Sequence, residues 1–262
     1  MKKLFTLLCC LLLVTLMAGC GGQEQNPNAG KTLKVGTSAN FPPYEYLQKS
    51  SNSFTGFDID IANALAKEMG YDKVEFVDMK FNDLPKAIAD KKVDVLISAI
   101  TVTDKRKGYL DFTESYLSTS LKLAVPVNTK LDTKNLKSAA GLKVAVEEGT
   151  TAWHEAKRQK AKEVIACKST LEALEMAIAG KADAVMADKL TLSFFAAHNL
   201  RSQIAFANDT EFDPAPLALC VRKGDKQMLD QLNKALNKYR HSSDFKLICR
   251  TYFGEEGPKK NK

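Results

Sequence analysis

Ala87-Ile88-Ala89-Asp90-Lys91-Lys92-Val93-Asp94-Val95-Leu96 reads as a helix end, a tight turn and a buried strand. The same reading fits Ala177-Ile178-Ala179-Gly180-Lys181-Ala182-Asp183-Ala184-Val185-Met186, one residue shorter between the helix and the aspartate. A repeated helix–turn–strand unit points to two related α/β lobes. Each copy runs into polar residues where its strand ends. The first leads to Ser98-Ala99-Ile100-Thr101-Val102-Thr103-Asp104-Lys105-Arg106, the second to Ala187-Asp188-Lys189. In open α/β sheets, ligands bind beyond the carboxyl ends of the strands. Ser98 to Arg106 packs hydroxyls, open backbone groups, a helix start from Thr103 and an arginine together. Unpaired N–H groups at a helix start favour anions, and a guanidinium grips a carboxylate through two hydrogen bonds. Asp188, at the end of the equivalent strand, is the natural partner for an ammonium.

Outward from the repeat, strands and helices alternate. Leu33 to Thr37, Val74 to Val77 and Val93 to Ile97 read as strands. Phe57 to Met69 has apolar residues at helical spacing and stops at Gly70. Asn82 to Ala89 reads as a short helix with Pro85 in its first turn. Lys143 to Val146, Glu163 to Ala166 and Ala184 to Ala187 are the later strands, with helices over Thr150 to Lys160 and Thr170 to Ala179. Such alternation predicts parallel sheets covered by helices. Two extended runs, Leu121 to Val127 and Leu217 to Val221, are expected to cross between lobes as a two-strand hinge. Helices over Lys226 to Arg240 and Asp244 to Tyr252 are expected to return to the first lobe.

The amino terminus differs from the rest. Lys2 and Lys3, an apolar run from Leu4 to Met17 and Ala18-Gly19-Cys20 make a secretory signal peptide. The cysteine after Ala-Gly resembles a bacterial lipobox, with Met17 where leucine is commonest, so Cys20 is expected to carry lipid. Gly21 to Gly30 is polar and rich in glycine and asparagine, a flexible tether. The expected division is 1–19 signal peptide, 20–31 lipidated tether, 32–124 with 219–255 first lobe, 125–218 second lobe and 256–262 basic tail. An exported, lipid-anchored chain sits just outside a membrane.

The hydrophobic share of 45% and charged share of 26% are those of a globular protein. Losing Lys2 and Lys3 lowers the formal charge from +7 to +5. With no basic-aromatic motif, nucleic-acid binding is a poor fit. Cys167, Cys220 and Cys249 allow at most one disulfide and match no zinc spacing. His154, His198 and His241 form no metal motif, and no nucleophile elbow or P-loop is present. No catalytic residue, metal or cofactor is expected.

Three stretches carry a family resemblance: Val35-Gly36-Thr37-Ser38-Ala39-Asn40-Phe41-Pro42-Pro43-Tyr44-Glu45-Tyr46, Gly56-Phe57-Asp58-Ile59-Asp60-Ile61, and Ile100 to Arg106 followed by Asp111-Phe112-Thr113. Their ordered set resembles the family 3 extracellular solute-binding proteins, the amino-acid receptors of ABC importers, from about Thr32 to Gly254. The resemblance implies a type II periplasmic-binding-protein fold with two lobes and a two-strand hinge. It implies a monomer that captures a free amino acid and passes it to an ABC permease complex.

By position, the resemblance makes Phe41 and Phe81 the aromatics around the ligand side chain. It makes Ala99 the carbonyl facing the ammonium, beside Ser98, and Thr101 and Arg106 the carboxylate ligands. Gly149, Thr150 and Thr151 complete the carboxylate site from the second lobe, and Asp188 meets the ammonium. Ser38 stands where several relatives carry an acid. Asp58 matches a position that contacts the side chain in binders of basic amino acids, or else it caps its helix. Glu147 stands where relatives have an apolar residue or a lysine, and either faces the ligand or points to solvent beside Glu148. These positions favour a basic or polar ligand such as arginine, lysine, histidine or glutamine. An alternative on the same scaffold is a cyclohexadienyl dehydratase-like enzyme, with Glu147 or Glu148 as general acid.

Overall fold

The structure, a computed structural model, describes residues 26–254 apart from 49, 199, 201, 208–211 and 213. The expected signal peptide, Cys20 and the basic tail lie outside the described residues. In chain order the elements are β1 (Thr32–Thr37), β2 (Asn40–Phe41), β3 (Glu45–Gln48), β4 (Ser53–Thr55), α1 (Phe57–Glu68), β5 (Lys73–Asp78), α2 (Leu84–Ala89), β6 (Val95–Leu96), α3 (Asp104–Lys107), β7 (Leu110–Phe112), β8 (Leu117–Thr119) and β9 (Leu121–Pro126). There follow β10 (Lys143–Glu147), α4 (Thr151–Arg158), β11 (Glu163–Cys167), α5 (Thr170–Ile178), β12 (Ala184–Asp188), α6 (Lys189–His198), β13 (Ile204–Phe206), β14 (Ala215–Leu217), β15 (Cys220–Arg222), α7 (Lys226–Arg240) and α8 (Ser243–Phe253).

Two five-stranded sheets share one plan. The first runs β5-β1-β6-β15-β7 and the second β11-β10-β12-β9-β13. In each, three strands are parallel and the fourth is antiparallel. The repeated aspartates show why the copies fold alike. The Asp94 carboxylate accepts from the Lys34 N–H at 2.9 Å, and the Asp183 carboxylate accepts from the Lys143 N–H at 2.8 Å. Each aspartate also donates its own N–H to the same residue's carbonyl at 2.8 Å. The start of an interior strand is thereby held by one side chain, at the same place in both lobes.

The fourth strand of each sheet arrives from the other lobe. The crossing pair is β8 with β14, antiparallel with Ala215 opposite Thr119. The hinge therefore differs from the runs expected of it. Leu121–Pro126 lies wholly inside the second sheet, so a cut at 124 passes through β9. Leu217 to Val221 is divided between β14 and β15. Apolar content marked these runs, but pairing decides which part crosses.

Phe57 anchors the first lobe. Its ring meets Tyr116, Phe245, Tyr252 and Phe253, with centroids 4.7 to 6.2 Å away. The C-terminal helices thus pack against α1, as expected. Another cluster around Leu84, Ile88, Leu96 and Leu110 covers the opposite face. In the second lobe, α5 and α6 cover one face of the sheet and α4 the other.

The expected tether is corrected at its end. Residues 27–30 form a turn that docks on the end of α1. Asn26 donates to the Gly70 carbonyl at 2.7 Å, and Asn28 to the Met69 carbonyl at 2.9 Å. Helix ends leave carbonyls without partners, and these amides fill them. Composition predicts a tether because it weighs apolar area; here hydrogen bonds do the holding.

Gly56 begins α1 at φ 130°, and a Cβ there would overlap the Tyr44 carbonyl. Gly56→Ala is expected to destabilise by roughly 1–3 kcal/mol, about 3–10 °C in Tm for a domain of this size. Differential scanning calorimetry would measure this, and an unchanged Tm would show that the backbone relaxes freely.

Candidate functional site

The carboxyl ends of the two sheets meet across a cleft. Inside it lies a cavity of about 100 Å³. Of the residues singled out in the sequence, Ser38, Phe41, Phe81, Ser98, Ala99, Thr101, Arg106, Glu147, Thr150, Thr151 and Asp188 line it; Asp58 and Gly149 do not.

Arg106 stands on the first-lobe wall. Thr103 caps α3 by accepting the Arg106 N–H at 3.2 Å, which places the arginine in the helix's single turn. Its side chain is buried. Nη1 donates to the Thr101 carbonyl at 2.9 Å and Nη2 to the Gly149 carbonyl at 3.4 Å, across the cleft. The guanidinium also lies 5.2 Å from the Phe81 ring centre. Burial lowers its pKa from the ordinary value. Among the described residues it makes no ion pair.

On the facing lobe, α4 starts at the cavity. Thr150 caps it, accepting from the Trp153 N–H at 3.3 Å and donating to the Glu147 carbonyl at 2.8 Å. The N–H groups of the helix's first turn carry the positive end of its dipole. With Arg106 opposite, this corner suits a carboxylate.

Asp188 is buried at the end of β12. The N–H groups of Leu190 and Thr191 donate to its Oδ1 at 2.9 and 3.1 Å, and the Tyr44 hydroxyl reaches across from the first lobe at 3.1 Å. Thr119 of the hinge adds a hydrogen bond. Burial raises its pKa, and these donors oppose the rise. It suits an ammonium.

Glu147 faces the cavity, whereas Glu148 is exposed. The open alternatives for this pair resolve by strand alternation, since Glu147 is the last residue of β10. Thr170 donates to Glu147 Oε2 at 3.2 Å. Burial pushes the Glu147 carboxyl up to about 7.

Asp58 is corrected. It neither reaches the cavity nor caps α1, whose N-cap is Gly56. Its Oδ2 accepts from the Ala99 N–H at 2.7 Å and the Tyr116 hydroxyl at 2.9 Å, behind the cavity floor. Gly149 contributes its carbonyl to Arg106 and lines a second cavity on the far side of that arginine.

Sequence reasoning assigned no role to Glu45, Tyr44, Thr119 or Thr170. Glu45 lines the cavity and accepts from Ser98 Oγ at 2.7 Å. Its signal was a lone carboxylate between two tyrosines in an otherwise apolar strand start.

Residues 33–255 match the family described as bacterial extracellular solute-binding proteins, family 3. The chain is 29% identical over 253 residues to a probable histidine-binding protein of Neisseria gonorrhoeae, covering 92% of each chain. It is 30% identical over 233 residues to an L-arginine-binding protein of Pseudomonas aeruginosa, covering 86% of this chain and 89% of the relative. Among solved structures, an ancestral arginine-binding protein bound to arginine superposes with a TM-score of 0.78 at 31% identity, covering 85% of this chain and 98% of that one.

Gly149 has φ 79°, and a Cβ there would overlap Asn82 Oδ1 on the other lobe. Gly149→Ala is expected to shift the lobes toward the open state by about tenfold, the scale of a modest steric conflict. Small-angle scattering would show a larger radius of gyration, and an unchanged radius would mean that Asn82 simply swings away.

Proposed function

Because the chain belongs to the bacterial extracellular solute-binding proteins of family 3, we propose that it is a lipid-anchored, extracytoplasmic receptor. It captures a free amino acid with a basic or polar side chain between its lobes and delivers it to an ABC importer. One observation carries this reading: a buried guanidinium on one wall with only neutral partners, and a buried carboxylate on the other. Their separation between lobes asks for a ligand carrying both charges. Such a zwitterion pairs with each wall only when the lobes close, so ligand binding and closure become one equilibrium.

The side-chain end of the cavity sets the class. Phe41 and Phe81 offer aromatic faces, and Glu147 offers a carboxyl. A second buried anion facing glutamate or aspartate would cost too much, whereas a cation or a hydrogen-bond donor pairs with it. The named relatives for arginine and histidine agree with that class. Arginine, lysine, histidine and glutamine are the candidates, with arginine the first to test. Cys20 would carry the anchor, and the docked Asn26 and Asn28 would bring the tether out beside the end of α1.

A second reading draws on the same Glu147, whose carboxyl near 7 is suited to a general acid. A dehydratase of this kind would release phenylalanine or phenylpyruvate from arogenate or prephenate, and a binding protein would not.

Arg106→Ala is expected to cost about 2–5 kcal/mol of L-arginine affinity, thirtyfold or more. Calorimetry against the twenty amino acids tests it; no heat with any of them, or an unaltered Kd in the variant, would sink the reading.

The pH dependence follows from Glu147. Pairing with a cation requires its ionised form, and its carboxyl sits at about 7 without ligand. Affinity for L-arginine is therefore expected to fall as pH drops below 7, by up to about tenfold per unit, while L-glutamine binding stays flatter. Glu147→Gln should flatten the arginine profile. In the ligand-free protein the sign is opposite. The raised pKa adds stability below the unfolded value near 4.5, lost as pH rises through about 7.

A further inference from the structure

Two carboxyl groups lie wholly buried at the floor of the cavity, Glu45 on β3 at its lining and Asp58 on α1 behind it, at 1% and 0% exposure. Each uses one oxygen to hold that floor. Glu45 Oε1 accepts from the Ser98 hydroxyl at 2.7 Å. Asp58 Oδ2 accepts from the Ala99 N–H at 2.7 Å and from Tyr116 at 2.9 Å. Each has one oxygen left over, Glu45 Oε2 and Asp58 Oδ1. Both are buried without a hydrogen-bond donor. Neither residue makes an ion pair among the described residues.

Two anions side by side with no cation are prohibitively costly in an apolar enclosure. One shared proton removes the problem, because it gives one orphan oxygen a hydrogen and the other a donor. The hydrogen bonds say where it rests. Asp58 already receives two donors, which favour its charged form, and Glu45 receives one.

We propose that Glu45 and Asp58 form one proton-sharing carboxyl pair, Glu45 neutral and Asp58 charged, that positions Ser38, Ser98 and Ala99 as the floor receiving the ligand's ammonium. The role assigned to the floor rests on the amino-acid reading above. The pair itself does not.

The consequences run residue by residue. The Ser98 hydroxyl hydrogen is committed to Glu45, so its lone pair faces the Ser38 N–H, 3.1 Å away. Ala99 holds φ 42°, a left-handed conformation that a residue with a Cβ avoids. Asp58 grips its N–H and keeps it there. The groups facing the pair are Tyr44, Tyr116, Asp188 and Glu147, none of them a cation. Burial accordingly raises Glu45 well above the carboxylate range, while Asp58, held back by donors that include Glu45, rises only to about 6. The pair leaves one negative charge behind the floor. Both residues are positioning residues.

The test uses amide substitutions in the whole mature chain. An amide has one donor nitrogen and one acceptor oxygen, so it can replace either member of the pair but not both. Glu45→Gln donates to Asp58. Asp58→Asn accepts from Ala99 and donates to Glu45, which then takes the charge. In the double variant, two amide N–H groups face each other. Each single variant is expected to melt within a few degrees of wild type, and the double to lose far more than their sum. In a Glu147→Gln background, which removes the other buried carboxyl titrating near neutrality, infrared spectra of the ligand-free protein should show the carbonyl stretch of a buried carboxylic acid, absent when either Glu45→Gln or Asp58→Asn is added. With L-arginine as probe, Glu45→Ala should weaken binding about tenfold or more, and Glu45→Gln should recover most of it. Additive melting losses, or an acid band that survives each of these substitutions in that background, would overturn the pair. If wild type takes up no L-arginine, the proposed ligand reading fails, and the infrared and melting results still decide the pair.

Discussion

A guanidinium taken out of water with only neutral groups for partners is the constraint on which the rest of this structure depends. Arg106 has lost its hydration and gained the Thr101 and Gly149 carbonyls and the Phe81 face. These are dipoles and an aromatic quadrupole, not a counter-ion. Asp188 is its mirror on the other wall, a carboxylate satisfied by N–H and O–H groups alone. Neutral partners hold each charge in position while leaving it open to a charged one. Neither wall completes the other; a molecule with both charges does.

The scaffold achieves this by duplication. Each lobe starts from the same aspartate-stapled strand pair, and each sheet ends its third strand at the cleft. The fourth strand of each sheet comes from the opposite lobe, so the crossing strands are continuous with both cores. Within the described residues the lobes are joined through β8 and β14. Thr119, in that hinge, hydrogen-bonds Asp188, which ties the hinge to the ammonium end of the site. Tyr44 does the same from the first lobe.

The cavity is more acidic than a site for a neutral zwitterion needs. In the proposed binding mode Asp188 answers the ammonium. Glu147 also lines the cavity, and Glu45 and Asp58 stand at and behind its floor. Such an excess of carboxyl groups in a buried cleft would favour a cationic side chain over an acidic one, as proposed above.

Much of this was legible in residue order. Apolar spacing located every longer helix but α6, and the parallel strands of both sheets, because a half-buried element must repeat its apolar face with its own period; it passed over the short strands β2, β3, β4, β7, β8 and β13. The echo of Ala87 to Leu96 in Ala177 to Met186 announced two lobes. The motif around Ser98 to Arg106 and the position of Asp188 named both walls, since charge at a strand end is a local signal. What sequence could not decide was direction and pairing. Asp58 carries the right chemistry for a ligand contact, yet α1 turns it behind Ala99. Glu45 looks like an ordinary strand residue until Ser98 is folded onto it. Leu121 to Val127 has the composition of a crossing strand and is a sheet strand instead. Asn26 and Asn28 read as tether until a helix end is brought to them. Local order determines which residues have the chemistry; only tertiary packing decides which are desolvated together, because burial and hydrogen-bond partnership are set by residues distant in the chain.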